Sequence, residues 1–268
     1  MRRAGFPGLS VLAAMTAAAS AAAPNIQMFG LTSDQRLIAF ETRATRDAFG
    51  VGTISGLDTD TRIVGIDFRP ATGELYGLGD AGGVYLLNTS NAAATLKSRL
   101  TVALEGTAFG VDFNPTVDRF RIVSNTGQNL RVNVDTGATI VDLPLVYTTT
   151  ATGVAGAAYT NNDADPNTGT TLFDLDTDLD QIVIQAPPNN GNLNAVGKLR
   201  QDTSADAGFD IYTQIRNGET TGNFGFAVLT VDGRSRLYEI NLLTGAARKA
   251  GSFNREFQVI DVAAPTNP

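Results

Sequence analysis

Residues 63–70 read IVGIDFRP, and residues 108–115 read AFGVDFNP. The two stretches share the pattern Gly-x-Asp-Phe-x-Pro. Each is followed by three further short runs of β-forming residues, and turns that contain Gly or Asn separate the runs. Four such runs within about 40–50 residues are typical of one blade of a β-propeller, in which the strands form an antiparallel meander.

The same order of runs recurs along the chain. First runs start at about residues 64, 109, 155 and 208, which predicts four complete blades. Residues 26–57 hold only three runs, whereas residues 257–265 hold one lone run that resembles a first strand. Placing the C-terminal run beside the N-terminal three completes a fifth blade and removes the open sheet edges. We therefore predict an all-β fold with little helix: a single β-propeller of five four-stranded blades over residues 24–268.

An aspartate recurs at one position of the first strands. In blade order the strands give Val259-x-Asp261, Gly65-x-Asp67, Gly110-x-Asp112, Gly156-x-Ala158 and Gly208-x-Asp210. Because side chains alternate along a strand, the Gly and the Asp share one face, and the Gly lets the neighbouring blade come close. We expect each Asp to lie near the central channel.

Two interpretations of these aspartates remain open. In the first, each carboxylate accepts hydrogen bonds from the adjacent blade and locks the ring, as a buried carboxylate must be paired or hydrogen-bonded. In the second, the carboxylates converge on the axis and hold a cation such as Ca²⁺, or perform acid–base chemistry on a ligand. The first is favoured because catalysis needs carboxylates in unlike environments, and a repeated position makes environments alike.

Two acidic segments are further candidates for a metal site. The segment NNDADPNTG at residues 161–169 offers oxygen ligands at Asp163, Asp165 and Asn167, but it departs from the EF-hand pattern, so an Asx-rich turn is the favoured interpretation. The segment DLDTDLD straddles the turn between the second and third strands of blade 4. It carries Asp174, Asp176, Asp178 and Asp180. A solvated turn is the default there, and a bound Ca²⁺ is the alternative.

Composition excludes several functional classes. The chain has no Cys and no His, so thiolate nucleophiles, Cys-ligated zinc, Ser-His-Asp triads and imidazole metal sites are excluded. The formal net charge of −7 argues against sequence-independent binding to nucleic acid or anionic lipid. Any general acid or base must come from Asp, Glu, Tyr or Lys, and any metal site must be rich in oxygen ligands.

The N-terminal segment predicts export. Residues 1–23 hold two arginines, an apolar stretch from Leu9 to about Ala19 and then small residues, the pattern of a secretory signal peptide with cleavage after Ala21 or Ala22. The apolar stretch is short for a transmembrane span, so cleavage is favoured over the alternative of an uncleaved anchor. No membrane span is expected in the mature chain. We predict an exported bacterial protein, periplasmic or extracellular.

Several blade motifs resemble those of a known bacterial family. The stretches IDFRPATGELYGLGD, FGVDFNPTVDRFRIVSNTGQNLRVN, LFDLDTDLDQIVIQAPPNNGNL and GFDI resemble, in order, the family called domain of unknown function 4394. The resemblance spans about residues 25–263. It implies a secreted or periplasmic β-propeller-like domain, and it implies no activity and no catalytic residues.

Two hypotheses of function follow. The favoured one is a non-catalytic module that binds an unknown extracellular or periplasmic protein or small ligand, as a monomer and with no cofactor. The alternative is a carboxylate- or metal-dependent enzyme of the hydrolase or lactonase kind that uses the channel aspartates, a hypothesis resting on analogy of fold.

Overall fold

The computed structural model describes residues 22–266, so the predicted signal peptide lies almost wholly outside the described residues. Twenty β-strands and two 3₁₀ helices, Thr45–Asp47 and Pro188–Asn190, make up the regular structure of this part of the chain. The strands are β1 Gln27–Thr32, β2 Arg36–Glu41, β3 Phe49–Thr53, β4 Ile63–Arg69, β5 Glu74–Gly79, β6 Gly83–Leu87, β7 Ala94–Arg99, β8 Phe109–Asn114, β9 Arg119–Ser124, β10 Asn129–Val132, β11 Thr139–Val141, β12 Val154–Tyr159, β13 Leu172–Asp176, β14 Gln181–Gln185, β15 Leu193–Lys198, β16 Ala207–Arg216, β17 Glu219–Val231, β18 Arg234–Ile240, β19 Ala247–Ser252 and β20 Val259–Ala263. No helix among residues 22–266 has the length and hydropathy needed to cross a bilayer.

The strands form five four-stranded antiparallel sheets, which are the blades of a propeller. Blade 1 has the order β20-β1-β2-β3, and blades 2 to 5 are β4–β7, β8–β11, β12–β15 and β16–β19. The inner strands β20, β4, β8, β12 and β16 contact one another in that order, and β16 returns to β20. The five-bladed ring predicted from the repeat is therefore confirmed.

The C-terminal strand closes the ring as the sequence predicts. Strand β20 pairs antiparallel with β1, with Phe29 opposite Ala263 and Leu31 opposite Asp261. This pairing covers the edge of β1, which would otherwise expose unpaired N–H and C=O groups.

Five apolar clusters form the core, one at each junction between neighbouring blades. Between blades 2 and 3, for example, the Tyr76 and Phe113 rings meet edge to face with centroids 5.3 Å apart, and Phe113 lies 4.6 Å from Phe120. Aromatic pairs of this kind contribute about 0.5–1.5 kcal/mol each beyond the burial of their area. The core is thus distributed around the ring, and each blade depends on its two neighbours.

The fourth strand of blade 3 is shorter than predicted. The sequence predicts a strand over residues 138–147, whereas β11 ends at Val141. Beyond it the backbone turns toward blade 4, where the Leu143 N–H donates to the Asn189 carbonyl and the Val146 N–H donates to the Gly191 carbonyl. Pro144 has no N–H to donate, which favours departure from the sheet.

The first hairpin of blade 5 is longer than predicted. The sequence predicts strands over residues 208–214 and 223–232, whereas β16 and β17 continue until Arg216 pairs with Glu219. Asn217 and Gly218 form the two-residue turn, and both have a positive φ, 52° and 79°. Asn-Gly is the preferred sequence for such a turn because both positions are left-handed.

Candidate functional site

The inner strands approach each other closely at their glycines. A Cβ added to Gly110 would lie 2.4 Å from the carbonyl carbon of Gly156 in blade 4. A Cβ added to Gly65 would lie 2.7 Å from a methyl carbon of Val111 in blade 3. Both distances are shorter than real Cβ contacts, so glycine permits the close approach at both positions, and at Gly110 the obstacle is backbone that cannot rotate away.

Four of the five inner strands carry an aspartate at the repeated position, and each of these aspartates bonds to the next blade. Each carboxylate accepts a hydrogen bond from a backbone N–H across a blade junction: Asp67 from Phe113 at 2.8 Å, Asp112 from Tyr159 at 3.0 Å, Asp261 from Ile66 at 2.8 Å, and Asp210 from Ala264 at 2.6 Å. All four aspartates are buried. The bonds span four of the five junctions, so these carboxylates link the blades into a ring.

The fifth junction, between blades 4 and 5, has no such bond because blade 4 carries Ala158 at the aspartate position. Phe113 and Tyr159 directly follow the repeated position of their strands, and the residue at that place in blade 5 is Ile211. Its N–H donates instead to the Asp210 carboxylate of its own strand, at 2.5 Å. The donor is therefore satisfied within blade 5, and Asp210 uses its second oxygen to reach blade 1.

Three of these carboxylates also converge on the axis. Asp67, Asp112 and Asp210 each place an oxygen within 4.8 Å of the other two, the one such group of three among residues 22–266. Burial raises the pKa of Asp210 to about 6. Burial and the neighbouring carboxylates hold the pKa values of Asp67 and Asp112 well above the usual range. The group therefore retains protons at a pH at which free aspartate is ionised.

The segment with Asp163, Asp165 and Asn167 forms a loop between β12 and β13. The Asp163 carboxylate accepts the Asp165 N–H at 3.0 Å, and the Asp165 carboxylate accepts the Asn167 N–H at 2.8 Å. These are Asx turns, as the favoured interpretation predicts. The second Asp163 oxygen accepts the Thr220 hydroxyl at 2.9 Å, which ties the loop to blade 5.

The DLDTDLD segment does not form a solvated turn along its whole length. Asp178 and Asp180 lie in the turn after β13, whereas Asp174 and Asp176 lie inside β13 and are fully buried. The default interpretation was therefore wrong for these two. Side chains alternate along β13, so Leu175 points into the junction on one face of the strand, and Asp174 and Asp176 point into the junction on the other face. Both faces of this strand are therefore covered by neighbouring blades.

Asp174 occupies a buried polar region between blades 3 and 4. Neither of its carboxylate oxygens has a hydrogen-bond partner among the described residues. Burial raises its pKa to about 8, the nearby Arg121 guanidinium opposes this rise, and Asp176 adds to it. Arg121 is itself buried and pairs with Asp142 at 2.7 Å. Asp174 is therefore held as the neutral acid near neutral pH.

Three clefts open on the face where the inner strands begin, which we call the front face. The largest, the basic cleft, has a volume of about 740 Å³ and lies at the junction of blades 5 and 1. The second, the acidic cleft, is lined by Asp202, Asp206 and Asp232. The third is smaller and lies at the mouth of the channel, beside the first residues of β4, β8 and β16.

Five cationic side chains line the basic cleft. They are Arg46, Arg234, Arg236, Lys249 and Arg255. Within the described part of the chain, no Asp or Glu belongs to the lining of this cleft, and none of the five cations forms an ion pair. Phe253, Phe257 and Ser235 form part of the wall.

A family assignment agrees with this architecture. The sequence profile of the family described as domain of unknown function DUF4394 matches residues 36–263. The protein belongs to the DUF4394 family. The assignment confirms the resemblance seen in the blade motifs. Comparison with curated proteins gives no match.

Solved structures with a similar fold include three bacterial proteins. For this DUF4394 propeller, a protein of unknown function from Bacteroides thetaiotaomicron has a TM-score of 0.52 at 15% identity, over 92% of this chain and 66% of that one. An auxiliary nutrient binding protein from the same organism has a TM-score of 0.48 at 10% identity, over 88% and 63%. PorZ, a surface component of the type-IX secretion system of Porphyromonas gingivalis, has a TM-score of 0.41 at 15% identity, over 84% and 28%. The chain thus spans 66% or less of each of these proteins, and at such identities a likeness concerns the fold alone.

Sequence reasoning missed the basic cleft of this DUF4394 member. Four of its five cations lie between residues 234 and 255, so a local excess of positive charge in an acidic chain was the available signal. The fifth, Arg46, comes from the other end of the chain. It reaches the cleft only because the ring closes between blades 5 and 1.

Proposed function

We propose that this protein is an exported, non-catalytic module that binds a ligand or a protein on its front face. The observation that carries the proposal is the state of the axial aspartates. Each is buried, and each already accepts a backbone N–H of the next blade. The repeated carboxylates therefore serve ring closure, and three open clefts, including the one of about 740 Å³, lie on the front face.

The chemistry of the axis argues against catalysis there. A general acid or base must come within hydrogen-bond reach of a substrate. The axial carboxylates of Asp67, Asp112, Asp210 and Asp261 are buried, and each is already engaged by a backbone N–H of the next blade.

Export rests on the predicted signal peptide over residues 1–23. The proposed partner is accordingly a small ligand or protein of the periplasm or the extracellular space. We propose that the module acts as a monomer.

One observation favours a second candidate function at the axis. Oxygens of Asp67, Asp112 and Asp210 lie within 4.8 Å of one another. Ca²⁺ binds oxygens at about 2.3–2.6 Å, so two ligands on opposite sides of one ion can be separated by such a distance. A metal-dependent hydrolase or lactonase would use this cluster once its protons are displaced.

A thermal melt with Ca²⁺ and with EDTA tests the second candidate. If a cation occupies the axis, EDTA lowers the melting temperature of the native protein and has less effect on Asp67→Asn and Asp112→Asn. If the aspartates only lock the ring, both variants lose stability to the same extent with and without metal.

A combined screen tests the proposed function. The native protein is incubated with 4-nitrophenyl glycosides and with γ- and δ-lactones, with and without Ca²⁺, and we expect turnover no faster than in buffer. In parallel, a panel of small anions, sugars and peptides is screened for a rise in melting temperature, which a ligand of the folded state produces by mass action. Turnover that disappears in Asp112→Asn would overturn the proposal.

A further inference from the structure

The basic cleft is unusual for its charge. The chain carries a net charge of −7, yet five cations face one concave surface without an ion pair. Four of the five are exposed, and the fifth, Arg236, is half-buried. Like charges that face one concave surface repel one another, and such a surface attracts an anion.

The wall of the cleft is held in place by the closure of the ring. The Ser235 hydroxyl accepts the Val259 N–H at 2.9 Å and faces the Phe257 carbonyl at 3.3 Å, which joins blade 5 to β20. The Asn254 amide donates to the Arg46 carbonyl at 2.9 Å, which joins the same segment to blade 1. These bonds fix the backbone that carries the cations, so binding would require little ordering of the main chain.

One of the cations, Arg236, is positioned differently from the rest. Arg236 is half-buried and donates to the Val231 carbonyl at 2.8 Å, so its guanidinium is fixed at the wall. Arg234 and Lys249 are exposed and make no side-chain hydrogen bond within residues 22–266. Their donors are available to a ligand, and guanidinium groups in particular form paired hydrogen bonds with carboxylate and phosphate oxygens.

The acidic cleft restricts the side from which an anion can approach the basic cleft. It borders the basic cleft, and the two share Gly233 and Gln258. Its three aspartates repel a negative ligand from that side.

We propose that the basic cleft binds an organic anion that carries two or more carboxylate or phosphate groups. This inference rests on the proposed function, because it names the ligand class of the front face. The volume of about 740 Å³ accommodates a ligand of the size of a short oligosaccharide or a nucleotide. Carboxylate and phosphate groups both present the anionic oxygens that the cations recognise. The experiment below distinguishes a carboxylate ligand from a phosphate ligand.

Isothermal titration calorimetry with two probes tests the proposal. The probes are trigalacturonate, which carries three carboxylates, and sodium tripolyphosphate, each at 50 mM and 200 mM NaCl. We expect at least one probe to bind and its affinity to fall at the higher salt, since screening weakens charge attraction. The stronger probe identifies carboxylate or phosphate as the preferred source.

Charge reversal supplies the matched comparison. We expect Arg234→Glu to weaken binding at least about tenfold, and Arg234→Glu with Lys249→Glu to abolish it in this assay. The control is Arg216→Glu, which makes the same charge change at an exposed arginine on the tip of the β16–β17 hairpin, outside the cleft. The control should keep native affinity, and all variants should keep the native melting temperature.

Each outcome decides the proposal. Absence of binding by both probes at 50 mM NaCl overturns it, and so does equal weakening by Arg234→Glu and Arg216→Glu. If neither oligoanion binds but a neutral ligand raises the melting temperature, this inference fails while the proposed binding function stands. If axial turnover is found while the oligoanions bind here, the proposed function fails and the cleft remains an anion site.

Discussion

The substitution Gly110→Ala tests the close approach of the inner strands. The added Cβ would lie 2.4 Å from the Gly156 carbonyl carbon and 2.6 Å from the Ala157 nitrogen. Both obstacles are backbone atoms of β12, so the clash cannot be relieved by a rotamer change. Overpacking costs about 1–3 kcal/mol, and a backbone obstacle places this substitution near about 3 kcal/mol. For a domain of this size, about 2–4 °C of melting temperature are lost per kcal/mol, so we expect a decrease of about 6–12 °C.

Substitutions at two further glycines provide comparisons for the stability of Gly110→Ala. A Cβ at Gly50, in the outer strand β3, meets no atom within 4 Å, so Gly50→Ala should leave the protein unchanged or stabilise it by about 0.4–1 kcal/mol. At Gly65 the obstacle is the end of the Val111 side chain, which can move, so Gly65→Ala should cost less than Gly110→Ala.

Urea unfolding followed by circular dichroism measures all three free energies under one condition. Equal stability of Gly110→Ala and Gly50→Ala would refute the reasoning, because it would mean that blades 3 and 4 do not meet at this glycine.

Three other predictions follow from the ring. Asp112→Ala should destabilise by about 1–3 kcal/mol in urea unfolding because the buried Tyr159 N–H loses its acceptor, and Asp112→Asn, which keeps an acceptor oxygen, should cost less. The pKa of Asp174 rises from 3.8 to about 8 on folding, so this group lowers the free energy of unfolding progressively as the pH rises between those values. Over that range Asp174→Asn should therefore gain stability relative to the native protein, by at most about 1.4 kcal/mol per pH unit. A difference in free energy of unfolding that stays constant with pH would contradict this. A chain that ends at Asn254 lacks β20 and should show no cooperative thermal transition, whereas a chain that lacks only the last two residues should melt as the native protein does.

The architecture was predictable because the repeated sequence motif lies in the inner strands themselves. Gly65 with Asp67 and Gly110 with Asp112 mark inner strands, and the lone run at residues 257–265 predicts β20. The hairpin turn at Asn217 and Gly218 was readable in principle, since Asn-Gly is a strong local signal.

Burial between blades was harder to predict. Aspartate is usually exposed, so the sequence favours a surface position for Asp174 and Asp176. Their burial depends on the packing of blade 3 against blade 4. The same is true of the basic cleft, whose cations come from Arg46 and from residues 234–255. A single sequence indicates how each blade folds, but the environment between two blades depends on residues that are distant along the chain.

The pairing of β20 with β1 has a consequence for the order in which the protein is made. Strands β1 to β3 of blade 1 emerge from the ribosome before blades 2 to 5, and their missing partner β20 emerges after them. Until then β1 must remain without its neighbour while the other four blades are synthesised, and an uncovered strand in that interval can pair wrongly with another chain. A chaperone that covers nascent β1, or folding that is delayed until β20 is available, would prevent such wrong pairing.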